Sequence, residues 1–406
     1  MRIPSTHAAI AFLVLLMPVP QAPAAPATTE EALPVDEARE AALLRAAGPG
    51  FKLKRTVHFL IAYDTTTELV ESLTDRLETT YTSVYRFCEQ AKIGTRKPDH
   101  ALEVFFFNTR DTYAKYATRI RFDHDGTCGV YHEGSNRSAF FNIENDPQVL
   151  AMQANVLAAR RNLDELTETL NAIRGSRTVV EIEYSDGRRE QMTRREADRQ
   201  VSKTRKSLAD MDRRRTNLVR RLNQTVLQHE TAHQVLHNAG VHVRGATNPA
   251  WITEGLACLF ETPPGRTGAG LHVVNQLRLE DFREAVAAGR TSRKLSPDDV
   301  IEAIEDGRLV SPRDLILKPA LLRRASDERA TNYAVAWAMA AYLQRARKDQ
   351  LPAYLREVGQ RKPGERIRPE EELAVFEKHF GPLDDAFLKR FATCIVGLPV
   401  FGDGGP

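Results

Sequence analysis

Apolar positions come in short runs over the first third of the chain. HFLIAY (58–63) predicts a strand, the spacing over 67–92 predicts a helix, and LEVFFFN (102–108) reads as a buried strand. TCGVYHEGSNRSAFFNI (127–143) predicts two strands around a turn at Glu133, Gly134, Ser135 and Asn136. This is an α+β pattern with a small mixed sheet.

The pattern then changes period. Val149, Met152, Val156, Ala159, Leu163, Leu166, Leu170 and Ile173 follow 3-4 spacing. Gly175 ends that run, and TVVEIEYSDGRREQMT alternates around an Asp186-Gly187 turn, as a β-hairpin does. Val201, Thr204, Leu208, Met211, Arg215, Leu218 and Leu222 resume the 3-4 spacing. Two matched helices joined by a short tip predict an antiparallel coiled-coil arm over 146–222. Its second helix is expected to run without a break from about 195 to 238, roughly 65 Å. Beyond 263 the pattern is helical, at 278–289, 297–306, 331–346 and 370–392, and the terminal FGDGGP is expected to fray. Residues 28–50, rich in Ala, Pro and Glu, suit a linker or short helix.

Composition narrows the class. With 406 residues, 42% hydrophobic and 27% charged, the chain can bury a core and is long enough for two or three units. A net charge of +3 gives no global reason to expect a nucleic-acid partner. The arm differs, with 17 Lys and Arg against 11 Asp and Glu between 151 and 221. That surplus fits either a solvated coil surface or contact with an anionic cell surface. At the N-terminus, Arg2, an apolar run over 8–17 and small residues around Ala24 and Ala27 predict a cleaved export signal (1–27), hence a secreted or periplasmic protein. Cys88, Cys128, Cys258 and Cys394 form no CxxC pair, and Cys258 is expected in the core.

The candidate chemistry lies in LQHETAHQVLHNAG (227–240). His229 and His233 are one helical turn apart, so both imidazoles can meet one ion, while Glu230 is offset toward a water on it. A hydrolytic zinc site needs a third protein ligand and an open position. His237, a further turn along, would sit along the helix axis and fits poorly. His242, His272 and Glu254 remain. Glu254, in PAWITEGLA at the start of a second helix, completes a two-histidine, one-glutamate set for Zn2+ and is preferred. Glu230 would then act as general base. His58, His100, His124, His132 and His379 have no ligand spacing, and Trp251 is expected to pack beneath the metal helix.

HETAHQVLHN followed by WITEGLA resembles the gluzincin metallopeptidases and is similar to the aminopeptidase N pattern. The 20 residues between His233 and Glu254 are slightly more than in that family, and no G-x-M-E-N exopeptidase motif is found. The chain is closer to uncharacterised exported bacterial proteins of the peptidase-MA-like superfamily. There a strand pair with Gly-x-Tyr, like Gly129-Val130-Tyr131, precedes the HExxH helix, and a Tyr-x-x-x-Trp helix, like Tyr333 to Trp337, follows. The likeness covers about 100–145 and 223–345. It implies a zincin-like catalytic core, a peptide or protein substrate, and Tyr333 as donor to the developing oxyanion. Packing of Tyr333 on Trp337 is the structural alternative.

The expected division is 1–27 signal peptide, 28–50 linker, 51–145 α+β part, 146–222 coiled-coil hairpin insertion, 223–265 zinc-binding helices and 266–406 helical C-terminal part. The strand pair at 127–143 is a candidate edge for binding an extended peptide. The expected function is an exported zinc metallopeptidase, endopeptidase-like. Its rival is a non-catalytic, zinc-stabilised binding protein whose basic arm docks a partner.

Overall fold

The computed structural model describes residues 32–124, 127–183, 188–262, 273–288, 295–323 and 328–399. The expected signal peptide, the Asp186-Gly187 turn, His272 and the terminal FGDGGP lie outside them. No described helix is long and apolar enough to cross a membrane.

A helix α1 (Glu37–Ala47) leads into β1 (Lys52–Arg55), β2 (Phe59–Tyr63), α2 (Thr67–Gln90), β3 (Leu102–Phe107), α3 (Arg110–Arg119), β4 (Gly129–His132) and β5 (Arg137–Phe141). The five strands form one mixed sheet in the order β1-β2-β3-β5-β4. β2, β3 and β5 run parallel, while β1 and β4 are antiparallel edges. Both faces of the sheet are covered, which explains the unbroken apolar run of β2. Phe59, Ile61 and Tyr63 join Val104 and Phe106 in the larger core beneath α2. Leu60 and Ala62 point to the opposite face, with Phe105, Phe107 and Tyr116. The sequence pattern marked neither β1, whose Lys-Leu-Lys-Arg lacks an apolar run, nor α3.

A 3-10 turn (Ile143–Asn145) precedes α4 (Pro147–Ala172), which is followed by a two-stranded hairpin, β6 (Val179–Glu183) with β7 (Arg189–Thr193), and by α5 (Arg194–Ala239). α5 starts on a capping box between Thr193 and Glu196 and stops at Gly240, in the left-handed conformation at φ 85°. Its 46 residues make about 69 Å of helix. Salt bridges Arg160–Asp212 (2.8 Å) and Arg205–Asp164 (2.6 Å) link it to α4.

The expected apolar seam holds only in part. Val156, Leu170 and Val201 are buried, but Met152, Met211 and Leu222 are 48%, 52% and 38% exposed. Near the arm's root Val219 and Val149 turn toward the sheet's outer core instead, which takes Leu222 out of the seam.

The C-terminal part is helical: α6 (Ala250–Phe260), α7 (Gln276–Ala287), α8 (Pro297–Glu305), α9 (Pro312–Leu317), α10 (Ala320–Arg323), α11 (Arg329–Ala346), α12 (Gln350–Gly359), α13 (Pro369–Phe380) and α14 (Asp385–Val396). The single helical stretch expected over 370–392 is two helices. Gly381 takes a φ of 82°, Pro382 follows, and Asp384 caps α14 by accepting the Phe387 N–H at 2.8 Å.

Packing of α6 on α11 positions the site. α6 is buried nearly all round, apart from Thr253 and Glu254. A Cβ on Gly255 would lie 2.5 Å from the Ala336 carbonyl oxygen, so only glycine lets α11 approach this closely.

Candidate metal centre

The last turns of α5 bury Leu227, Ala232, Val235, Leu236 and Ala239 against the core. The remaining face carries His229, Glu230 and His233 into a cleft of about 450 Å³ that Glu254, Tyr131 and Tyr333 also line. His229 Nε2 is 3.0 Å from His233 Nε2 and 3.0 Å from Glu254 Oε2, and His233 Nε2 is 3.2 Å from that same oxygen. Three ligand atoms thus converge on one point. In a tetrahedral centre with bonds of about 2.0–2.1 Å, ligand atoms stand about 3.3 Å apart. The group can therefore hold a metal ion with little rearrangement. Burial works against charge on Glu254, but the two imidazoles outweigh it and hold its carboxyl far below the usual range.

A buried carboxylate behind His229 was not read from the sequence. Glu261, at the end of α6, sits 2.9 Å from His229 Nδ1. Arg278 donates to both its oxygens, at 2.9 and 2.7 Å, and Asn275 donates at 2.8 Å. Its burial is opposed by Arg278 and His229, which bring its pKa down to about 2. Such a carboxylate turns Nε2 of the histidine toward the ion. The available signal was spacing: Glu261 follows Glu254 by seven residues, two turns along one helix face.

Cys258 shares this corner. Its thiol, Glu261 and the other nitrogen of His229 also lie close enough to hold an ion. Arg278 argues against a cation there, because its guanidinium already occupies both oxygens of Glu261. Burial pushes the Cys258 thiol up to about 11, which further disfavours a thiolate ligand. Cys258 is the core residue expected, packed against His229.

Glu230 is held by the sheet. Tyr131 donates its backbone N–H to Glu230 Oε2 at 2.7 Å. The close approach of β4 to α5 depends on Gly129, where a Cβ would meet Val226 at 2.7 Å and Phe140 at 2.9 Å. The Tyr131 N–H is thereby taken from the strand edge expected to receive a peptide.

Tyr333 reaches the same cleft from α11. Its ring centroid is 5.7 Å from that of His229, and the Arg278 guanidinium lies 5.4 Å above it. Burial, then the nearby Glu254 charge, keep the phenol protonated well above its ordinary range. Trp337, one turn along, is 1% exposed in the core.

His237 and His242 do not join the ligand group. His237 packs near Tyr131 and His242, with centroids at 5.2 and 5.3 Å. His242 is fully buried, and burial followed by the influence of His233 lowers its pKa to about 3. Trp251 packs on Tyr354 and Phe376.

No curated protein matches the chain. Residues 223–365 match the model of a family described as a protein of unknown function (DUF1570), and that segment carries His229, Glu230, His233, Glu254, Glu261 and Tyr333.

Proposed function

We propose that this chain is an exported zinc-dependent peptidase, endopeptidase-like, that hydrolyses peptide bonds with Glu230 as general base. The convergence of two imidazoles and one carboxylate within 3.2 Å carries the reading, because that donor set belongs to catalytic zinc sites with an open position. When bound, zinc would polarise the peptide carbonyl and make a water acidic enough to lose its proton near neutral pH.

The chain's own residues do the rest. Glu230, with one oxygen fixed by the Tyr131 N–H, accepts the proton of the attacking water and passes it to the departing amine. The Tyr333 hydroxyl donates to the carbonyl oxygen as negative charge builds there. Glu261 holds the His229 ring in place throughout. Export rests on the sequence pattern of residues 1–27.

Glu230 separates this reading from a zinc-stabilised binding protein, since a structural site needs no base in the cleft. A Glu230→Gln protein is expected to keep its metal and lose hydrolysis of unfolded protein substrates by about 10²–10⁴-fold. Equal hydrolysis by the variant, or none by the parent, would defeat the proposal.

A further inference from the structure

α5 is one unbroken helix from the tip of the arm to the ligand group, so its faces can be followed along its length. Eighteen residues make five whole turns, which puts Met211 on the face that carries His229. Leu222, seven residues before His229, lies within about 20° of that face. Leu222 lines a pocket that adjoins the cleft and shares His229, Glu230 and Tyr333 with it. On α4, Met152 is 48% exposed, whereas Leu150 and Leu157 lie about 160° and 140° round the helix from it and face away from α5. Met152, Met211 and Leu222, all positions of the expected α4–α5 seam, are three of the seven exposed large apolar side chains among the described residues. A stripe of three along the side of the arm that leads to His229 marks an interaction surface rather than scattered surface apolarity. The arm also has its surplus of cations, 17 Lys and Arg against 11 Asp and Glu between 151 and 221.

We propose that the root of the arm is an exosite for the protein being cut. It binds an apolar, acidic stretch of an unfolded substrate polypeptide and leads that chain along α5 into the cleft. The inference rests on the peptidase reading of the metal centre. Met211 and His229 are 18 residues apart, about 27 Å along the helix, which an extended chain spans in about eight residues. Substrates must therefore continue about that far beyond the scissile bond to reach the outer contacts.

The test separates docking from turnover. Fluorescent β-casein, an unfolded acidic protein, is titrated into the full-length Glu230→Gln protein and followed by anisotropy. Adding Met211→Asp and Met152→Asp is expected to weaken binding about tenfold; both side chains are exposed, so an unchanged circular dichroism spectrum confirms folding. In the active protein the same pair should lower the kcat/KM of a twenty-residue peptide relative to a six-residue one by a similar factor. Casein affinity within twofold of the parent overturns the exosite, as does failure of the parent to bind casein at about 100 μM. Binding of phosphatidylglycerol vesicles that Met211→Asp abolishes while casein binding is unmoved also overturns it. Absence of hydrolysis by the wild-type chain would sink the peptidase reading alone, because binding is measured separately.

Discussion

Glu261 Oε1 and His229 Nδ1 stand 2.9 Å apart, joining a metal-ligand candidate to a carboxylate that is 1% exposed. Arg278 neutralises that carboxylate, so removing the arginine strands a buried charge. Arg278→Ala is expected to destabilise the metal-free protein by about 3 kcal/mol at pH 7 and to weaken metal binding by about 10–100-fold. The pH dependence has a definite sign. Glu261 is held at about 2 in the folded chain against an ordinary 4.5, so its stabilising effect is full above 4.5 and fades as pH falls toward 2. In Arg278→Ala the carboxyl titrates higher and protonation relieves it. Denaturant unfolding should show the gap between the two proteins narrowing below pH 4.5; a gap constant from pH 7 to pH 3 contradicts the pairing.

Gly255 sets the distance between α6 and α11. Its missing Cβ leaves room for the Ala336 carbonyl, which a methyl group would approach to 2.5 Å. Gly255→Ala must push the helices apart and carry neighbouring Glu254 away from the histidines. The expected outcome is a loss of about 1–3 kcal/mol in stability with a clear drop in metal affinity. Calorimetry and metal titration read both, and unchanged affinity would show that Glu254 does not depend on this packing.

Tyr333→Phe keeps the ring beside His229 and under Arg278 but removes the hydroxyl. A donor to the oxyanion is worth about 10²–10³ in kcat. The variant should lose that factor at unchanged metal content. Full turnover assigns Tyr333 to packing alone.

Much of this arrangement was legible in the pattern. The buried strands β2 and β3 announced themselves through continuous apolar runs, and the one-turn spacing of His229 and His233 is a property of any helix. Glu254 followed from the ligand count and the second helix. Two things were not legible. The cradle of Glu261, Arg278 and Asn275 joins α6 to α7 across a segment with no spacing rule, so only tertiary packing brings Arg278 to the carboxylate. The Tyr131–Glu230 contact uses a backbone N–H, which carries no side-chain signature. The arm's seam was overcounted for a related reason: 3-4 spacing identifies one face of a helix, but not where that face leaves its partner for the sheet.

The central claim is that one metal ion is held by His229, His233 and Glu254. Elemental analysis of the purified chain, beside His233→Ala and Glu254→Ala, tests it directly. The account predicts about one zinc per wild-type chain and almost none in either variant, each still folded. Full zinc occupancy in Glu254→Ala, or a wild-type chain that takes up none when zinc is supplied, would contradict it.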